Sequence, residues 1–201
     1  MNFIKKLSLT LLLVFAVLIA NAQTSTPSFF SNNMVLQQDE EVAIWGNDAP
    51  KSSVEVSGSW GKSVTGKTNK EGKWKVKLKT PVAGGPYTVT IKGSKTILLE
   101  NVLIGEVWIC SGQSNMEMPL KGYGNQPING IRLFNTERAM SLAPEEDVAG
   151  KWLTTDPNTV GEFSATAYFF AKKLESILDV PIGLIETSCG GSTAEAWVDA
   201  K

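Results

Sequence analysis

Apolar and polar residues alternate along the chain from about Thr26 to Leu99. Val42-Ala43-Ile44-Trp45, Ser53-Val54-Glu55-Val56, Trp74-Lys75-Val76-Lys77-Leu78 and Tyr87-Thr88-Val89-Thr90-Ile91 each place every second side chain on an apolar face. Half-buried strands carry that period of two. Between them stand turn formers: Asn47-Asp48-Ala49-Pro50, Asn69-Lys70-Glu71-Gly72, Gly84-Gly85-Pro86 and Lys92-Gly93. Short strands at this spacing predict an antiparallel β-sandwich module over residues 23–100. Trp45, Trp60 and Trp74 could form a sugar-stacking platform, but Trp45 and Trp74 fall in strand alternation and are expected in the core instead. Trp60, between Ser59 and Gly61, is the one expected to be exposed.

The pattern then changes. Val102-Leu103-Ile104-Gly105-Glu106-Val107-Trp108-Ile109 is almost continuously apolar and suits a strand buried on both faces, as in a parallel sheet. Ile131-Arg132-Leu133-Phe134 is a further short strand, and Ser141 to Pro157 reads as irregular and acidic. Phe163, Ala167, Phe170, Leu174 and Ile177 recur at helical spacing and predict one buried stripe on a helix ended by Val180-Pro181. Ile182 to Ser188 reads as a second buried strand. Strand, helix and strand make a βαβ unit and hence a parallel sheet. Residues 101–201 are therefore expected to be the first βαβ part of an α/β domain, and the whole chain α/β.

Before the strands, Lys5 and Lys6 lead an apolar run that closes on Ala20-Asn21-Ala22, the pattern of an export signal with cleavage after Ala22. The run is shorter than the ~20 residues a spanning helix needs. A periplasmic or extracellular protein without a membrane partner is expected. Cleavage would take two lysines from 19 basic residues set against 20 acidic ones, moving the formal charge from −1 to −3. This balance, without a basic cluster, gives nucleic acid no footprint. Two cysteines and no histidine make a poor ligand set, so neither a metal nor another cofactor is expected. Cys110 and Cys189 each close a buried strand. Free, buried thiols are expected ahead of a disulfide, because adjacent strands do not guarantee converging Cβ vectors.

The candidate chemistry lies where the first buried strand ends, at Ser111-Gly112-Gln113-Ser114-Asn115-Met116-Glu117. A serine lifted out of a strand by a tight turn presents its hydroxyl above the sheet edge, as in a nucleophile elbow. The Gly-x-Ser-x-Gly spacing of α/β-hydrolases is absent, since Asn115-Met116 follows Ser114. The second strand ends in Cys189-Gly190-Gly191-Ser192-Thr193. Glycines between a strand and a helix start leave backbone N–H groups free to face an anion.

The string Gly105 to Glu117 resembles the first block of the SGNH (GDSL-like) hydrolases, in the form of sialate O-acetylesterases and related carbohydrate acetylesterases. Gly112-Gln113-Ser114 stands where other members carry Gly-Asp-Ser. Pro181 to Ile185 and Gly190 to Trp197 resemble the second block, with Cys189 departing from a frequent tryptophan. Phe30 to Gln37, Glu71 to Trp74 and Ala83 to Tyr87 resemble the family's N-terminal β-domain. The resemblance implies a flavodoxin-like hydrolase domain acting on O-acetylated glycans without a cofactor. It implies Ser114 as nucleophile and, as oxyanion donors, the Ser114 N–H with that of Gly190 or Gly191, Gly190 being preferred. Gln113, Asn115, Glu117 and Gly191 would line the pocket or brace the turn. The family's third block and its Asp-x-x-His block are not in these 201 residues, and Glu195 and Asp199 match neither. The chain is therefore expected to be the front part of a larger esterase, inactive alone. The alternative is a glycan-binding or scaffold protein without catalysis, favoured by the absence of histidine.

Overall fold

The computed structural model describes residues 23–123 and 127–198; the export signal expected at 1–22, and Asp199, lie outside them. The fold is mixed α/β, mostly sheet with few helices. The strands are β1 (Val35–Gln37), β2 (Glu41–Asn47), β3 (Ser53–Gly58), β4 (Lys62–Lys67), β5 (Lys73–Lys79), β6 (Gly84–Lys92), β7 (Thr96–Cys110), β8 (Ile131–Thr136), β9 (Gly150–Thr154) and β10 (Ile182–Glu186). The α-helices are α1 (Ser114–Glu117) and α2 (Ala165–Leu178).

β7 joins everything. Its first half pairs antiparallel with β6, in the order β4-β3-β6-β7. Near Leu103 it gains the parallel β1, and from Glu106 to Cys110 it pairs parallel with β10, which continues to β8 and β9. The strand expected from Val102 thus begins at Thr96 and belongs to both halves of the sheet. Where β6 stops, the side chains of Gln37 and Gln38 take over: the amides reach the Glu106 carboxylate, and the Gln37 carbonyl accepts the Val107 N–H at 2.9 Å. An exposed strand edge is a template for unwanted pairing, and side chains that occupy it blunt that liability.

β2 and β5 form a separate two-stranded sheet. Its inner residues Ile44, Trp74, Val76 and Leu78 share one core with Val54, Val56, Val89 and Ile91 of the large sheet. Alternation in β5 is complete, every second residue being buried. The expected Gly84-Gly85-Pro86 turn is instead part of β6, where the pairing with β7 breaks register between Gly84 and Tyr87. A bulged strand accommodates glycine and proline that a regular ladder rejects. Trp74 is buried, and Trp60 is half-buried rather than exposed. The Trp60 indole N–H donates to the Lys79 carbonyl at 2.9 Å and its ring meets Tyr87 edge-on.

The other end of the sheet has a second core. Ile131, Leu133, Ile182 and Leu184 face α2 through Phe163, Ala167, Tyr168 and Ala171. The helix is capped at its start by the Ser164 hydroxyl, which accepts the Ala167 N–H at 3.1 Å, an interaction worth about 1 kcal/mol. Asp179 in the left-handed region closes it, two residues before Pro181. The expected stripe is displaced: Phe170 and Ile177 are exposed, and the small Ala167 and Ala171 with Tyr168 make the contact. Small residues let helix and sheet approach closely, which the larger Phe170 would prevent. Phe170 packs on Trp108 instead, their rings 5.1 Å apart. Trp108 and Ile109 are themselves exposed, because β7 has only β10 beside it there. The expectation of burial on both faces therefore fails for the last turn of that strand. β9, inside the segment read as irregular, pairs with β8 and buries Trp152 under Phe29 and Phe134.

Candidate active site

β7 ends at Cys110, the chain turns through Ser111 to Gln113, and α1 begins at Ser114. Ser114 is exposed at the first position of that turn of helix. The Met116 and Glu117 N–H groups both bond to the Gln113 carbonyl, at 2.9 and 3.1 Å. α1 is moored to the start of α2 by the Ala165 N–H on the Met118 carbonyl and by Thr166 Oγ1 on the Asn115 carbonyl. The serine therefore sits on a fixed platform at the carboxyl edge of the sheet, where α/β proteins gather their ligands.

The second loop is brought there by register. Glu186 of β10 lies opposite Cys110, and the pairing continues past both strand ends. The Thr187 N–H reaches the Cys110 carbonyl at 3.0 Å, and the Cys189 N–H reaches the Gly112 carbonyl at 2.9 Å. The next residue, Gly190, consequently arrives beside Ser114. A Cβ added to Gly190 would stand 3.6 Å from Ser114 Cα, in ordinary contact, and 2.2 Å from Glu117 Oε2, so a larger residue would have to push the Glu117 carboxylate aside. Gly191 follows at φ +83° with open space around it, a backbone conformation that glycine adopts without strain.

Glu117 links the pieces. Its Oε2 accepts the Gly190 N–H, and its Oε1 pairs with the Arg138 guanidinium. Gln113 and Asn115 are exposed beside Ser114. Arg138 and Glu186 were not singled out from the sequence. Both line a cavity of about 330 Å³ with Glu117, Asn135, Thr136 and Ser188. Glu186 is buried, and burial raises its carboxyl above the usual range, against the Ser188 hydrogen bond and the Arg138 charge. A glutamate inside the otherwise apolar run from Ile182 is the signal that would have marked it. Arg138 had no such signal, because only the tertiary fold carries its loop to Glu117. Among the described residues no group of histidine, cysteine, aspartate or glutamate is placed to hold a metal ion, and no helix is long and apolar enough to cross a membrane.

Both cysteines are free, Cys110 buried and Cys189 exposed. The expectation of a buried Cys189 is corrected by its place: β10 stops at Glu186, and Cys189 lies in the open loop. Burial and the neighbouring Glu186 charge push the Cys110 thiol up to about 11. At pH 8 such a thiol is about one part in a thousand thiolate, the reactive form. Ellman's reagent at that pH is expected to modify one thiol quickly, Cys189, and the other only after denaturation. Two fast thiols in the native protein would contradict the burial of Cys110.

No protein-family model matches the chain. In sequence it is 32% identical over 201 residues to the sialate O-acetylesterases of Pongo abelii and of Homo sapiens, taking in 87% of this chain and 38% of each relative. The sialate O-acetylesterase of Mus musculus is 31% identical over 197 residues, which is 85% of this chain and 36% of that protein. In structure the chain is similar to a carbohydrate acetylesterase from Xanthomonas citri, with a TM-score of 0.82 and 36% identity over 88% of this chain and 43% of that one. The chain spans less than half the length of these relatives.

Proposed function

From a chain that is sialate/carbohydrate acetylesterase-like in sequence and fold, we propose hydrolysis of O-acetyl esters on glycans with Ser114 as the nucleophile. The serine oxygen attacks the acetyl carbon, the carbonyl oxygen becomes an oxyanion, and the sugar hydroxyl leaves with a proton. Water then releases acetate from the acyl-serine. The N–H groups of Ser114 and Gly190 hold the oxyanion. Before substrate arrives the Gly190 N–H rests on Glu117. Arg138 neutralises that carboxylate, so the N–H can turn to the stronger acceptor that forms in the transition state. Gln113, Asn115 and Gly191 border the acetyl and its sugar. Sialic acids are the first substrate class and other acetylated polysaccharides the next. In this reading residues 23–100 form a β-sandwich module, residues 101–201 correspond to the first part of a flavodoxin-like SGNH hydrolase domain, and the protein is exported with its signal removed after Ala22.

The observation that carries the reading is that Gly190 and Ser114 lie side by side at the ends of two parallel strands, where a methyl on Gly190 would be in van der Waals contact with Ser114 Cα. The test is acetate release from O-acetylated sialic acid and from acetylated xylan. The protein to assay is a chimera joining this chain to the remainder of the Xanthomonas citri acetylesterase. Gly190→Ala in that chimera keeps the N–H but sets a methyl against the Glu117 carboxylate, and the displaced donor is expected to lower kcat by up to about 10²–10³-fold, the size of a wholly lost oxyanion donor, with KM little changed. Binding of both glycans with no acetate released would sink the esterase reading. It would leave the second one, a glycan-binding protein without turnover, which rests on the absence of histidine from the 201 residues.

A further inference from the structure

A second cavity system lies away from Ser114, on the face of the β2–β5 sheet. Its main part is a groove of about 810 Å³, within the ~300–1,000 Å³ typical of small-molecule sites. One wall is Trp45, Asn47, Lys73 and Lys75; the other is the loop residues Glu145, Glu146 and Asp147. The loop is fastened there, because Lys73 pairs with Glu146 and Asp147 Oδ1 accepts the Ser28 N–H at 2.9 Å. The groove is therefore formed before any ligand binds. Trp45 packs edge-on against Phe30 from the core, 4.7 Å between centroids, and Lys75 Nζ lies over its ring at 5.9 Å. Expected in the core ahead of a sugar-stacking role, Trp45 is half-buried and also lines this groove.

The loop that walls this groove borders two further cavities. A neighbouring space of about 500 Å³ shares Trp45 and the 145–147 wall and runs along Glu137, Ala139 and Ser141. Arg138, between the first two, lines the cavity beside Glu117 and Glu186. One loop, 137–149, thus borders the whole succession from the β-module to the candidate active site.

We propose that the Trp45 groove binds neutral pyranose units of an oligosaccharide, remote from the sugar that carries the acetyl group; that last clause rests on the esterase reading of Ser114. The chemistry comes from the walls. The C–H face of a pyranose is apolar and matches an indole ring, while its hydroxyls both donate and accept in the ring plane. The Asn47 amide offers both functions, Lys73 donates through the ammonium protons its ion pair leaves over, and the carboxylates accept. Charge decides against an acidic sugar. Two lysines face three carboxylates, and Lys73 is already paired, so a ligand carboxylate meets no net positive field. The succession of cavities suits a chain of sugars better than a single terminal one.

The test uses the 201-residue chain and glycans without any ester. Isotope-edited NMR follows the indole N–H resonances during titration with xylohexaose, cellohexaose and mannohexaose, and with sialyllactose as the acidic counter-probe. At least one neutral hexasaccharide is expected to shift the Trp45 signal, identified by its loss in Trp45→Phe. Trp45→Ala is expected to weaken binding at least tenfold, which is ~1.4 kcal/mol. Should that variant unfold, two exposed positions still decide. Asn47→Ala weakens binding, and Lys75→Ala strengthens it by uncovering the ring. No shift with any neutral probe at ~5 mM, equal or tighter binding of sialyllactose, or affinity unchanged in Asn47→Ala and Lys75→Ala would each overturn the proposal. No probe carries an acetyl group, so failure here leaves the esterase reading standing, and failure of acetate release leaves this one standing.

Discussion

Ser114→Ala is expected to remove acetyl-ester hydrolysis from the chimeric enzyme, lowering kcat by roughly 10⁴–10⁶-fold while the protein stays folded. In the proposed mechanism the loss is large because the hydroxyl forms the covalent bond to the acetyl group. Fold retention follows from position. Ser114 is exposed, and α1 is held by the Gln113 carbonyl and by the start of α2 through backbone groups the substitution leaves intact. Acetate release from an O-acetylated sugar and a far-ultraviolet circular dichroism spectrum together check it. A folded variant retaining more than about a tenth of the activity, against the loss expected for a nucleophile, would place the nucleophile elsewhere. Ser111, exposed in the same turn, would then be the next serine to change.

The 201-residue chain assayed alone is expected to release acetate at the background rate. A serine hydroxyl is a weak nucleophile until a neighbouring base takes its proton. Base assistance is typically worth about 10²–10⁴ in rate, and this chain has no imidazole to supply it. Nor do nearby carboxylates substitute in this geometry, since Glu117 is engaged by Arg138 and Gly190, and Glu186 by Ser188. Two assays decide the matter: the chain alone, and the chain with free imidazole, each beside Ser114→Ala. Ser114-dependent release that appears only with imidazole locates the deficit in the base. Turnover by the chain alone of even ~1 s⁻¹, within the ordinary enzyme range, would show that another group takes the proton.

Much of this was legible from local pattern. Alternation fixed β2, β3, β5 and the body of β6, because a side chain in a half-sheet faces either core or solvent and its chemistry reports which. The apolar runs marked β8, β10 and the second half of β7. The turn at Ser111–Ser114 and the glycines after β10 were visible because small residues at strand ends carry a geometric meaning of their own. Other features belonged to the tertiary structure alone. β9 is a five-residue strand in an acidic stretch, and it exists because β8 offers it an edge and Phe29 and Phe134 cover Trp152. Which face of α2 is buried was decided by how close the helix must lie to β10, which favoured Ala167 and Ala171 over Phe170. The site shows the division most clearly. The family resemblance implied Ser114 and Gly190 as partners from two stretches far apart in the chain. Only the parallel register of β7 and β10 sets them side by side, and only the course of the 137–149 loop brings Arg138 to Glu117. Register and loop course are set by contacts between distant segments, and no local pattern encodes them.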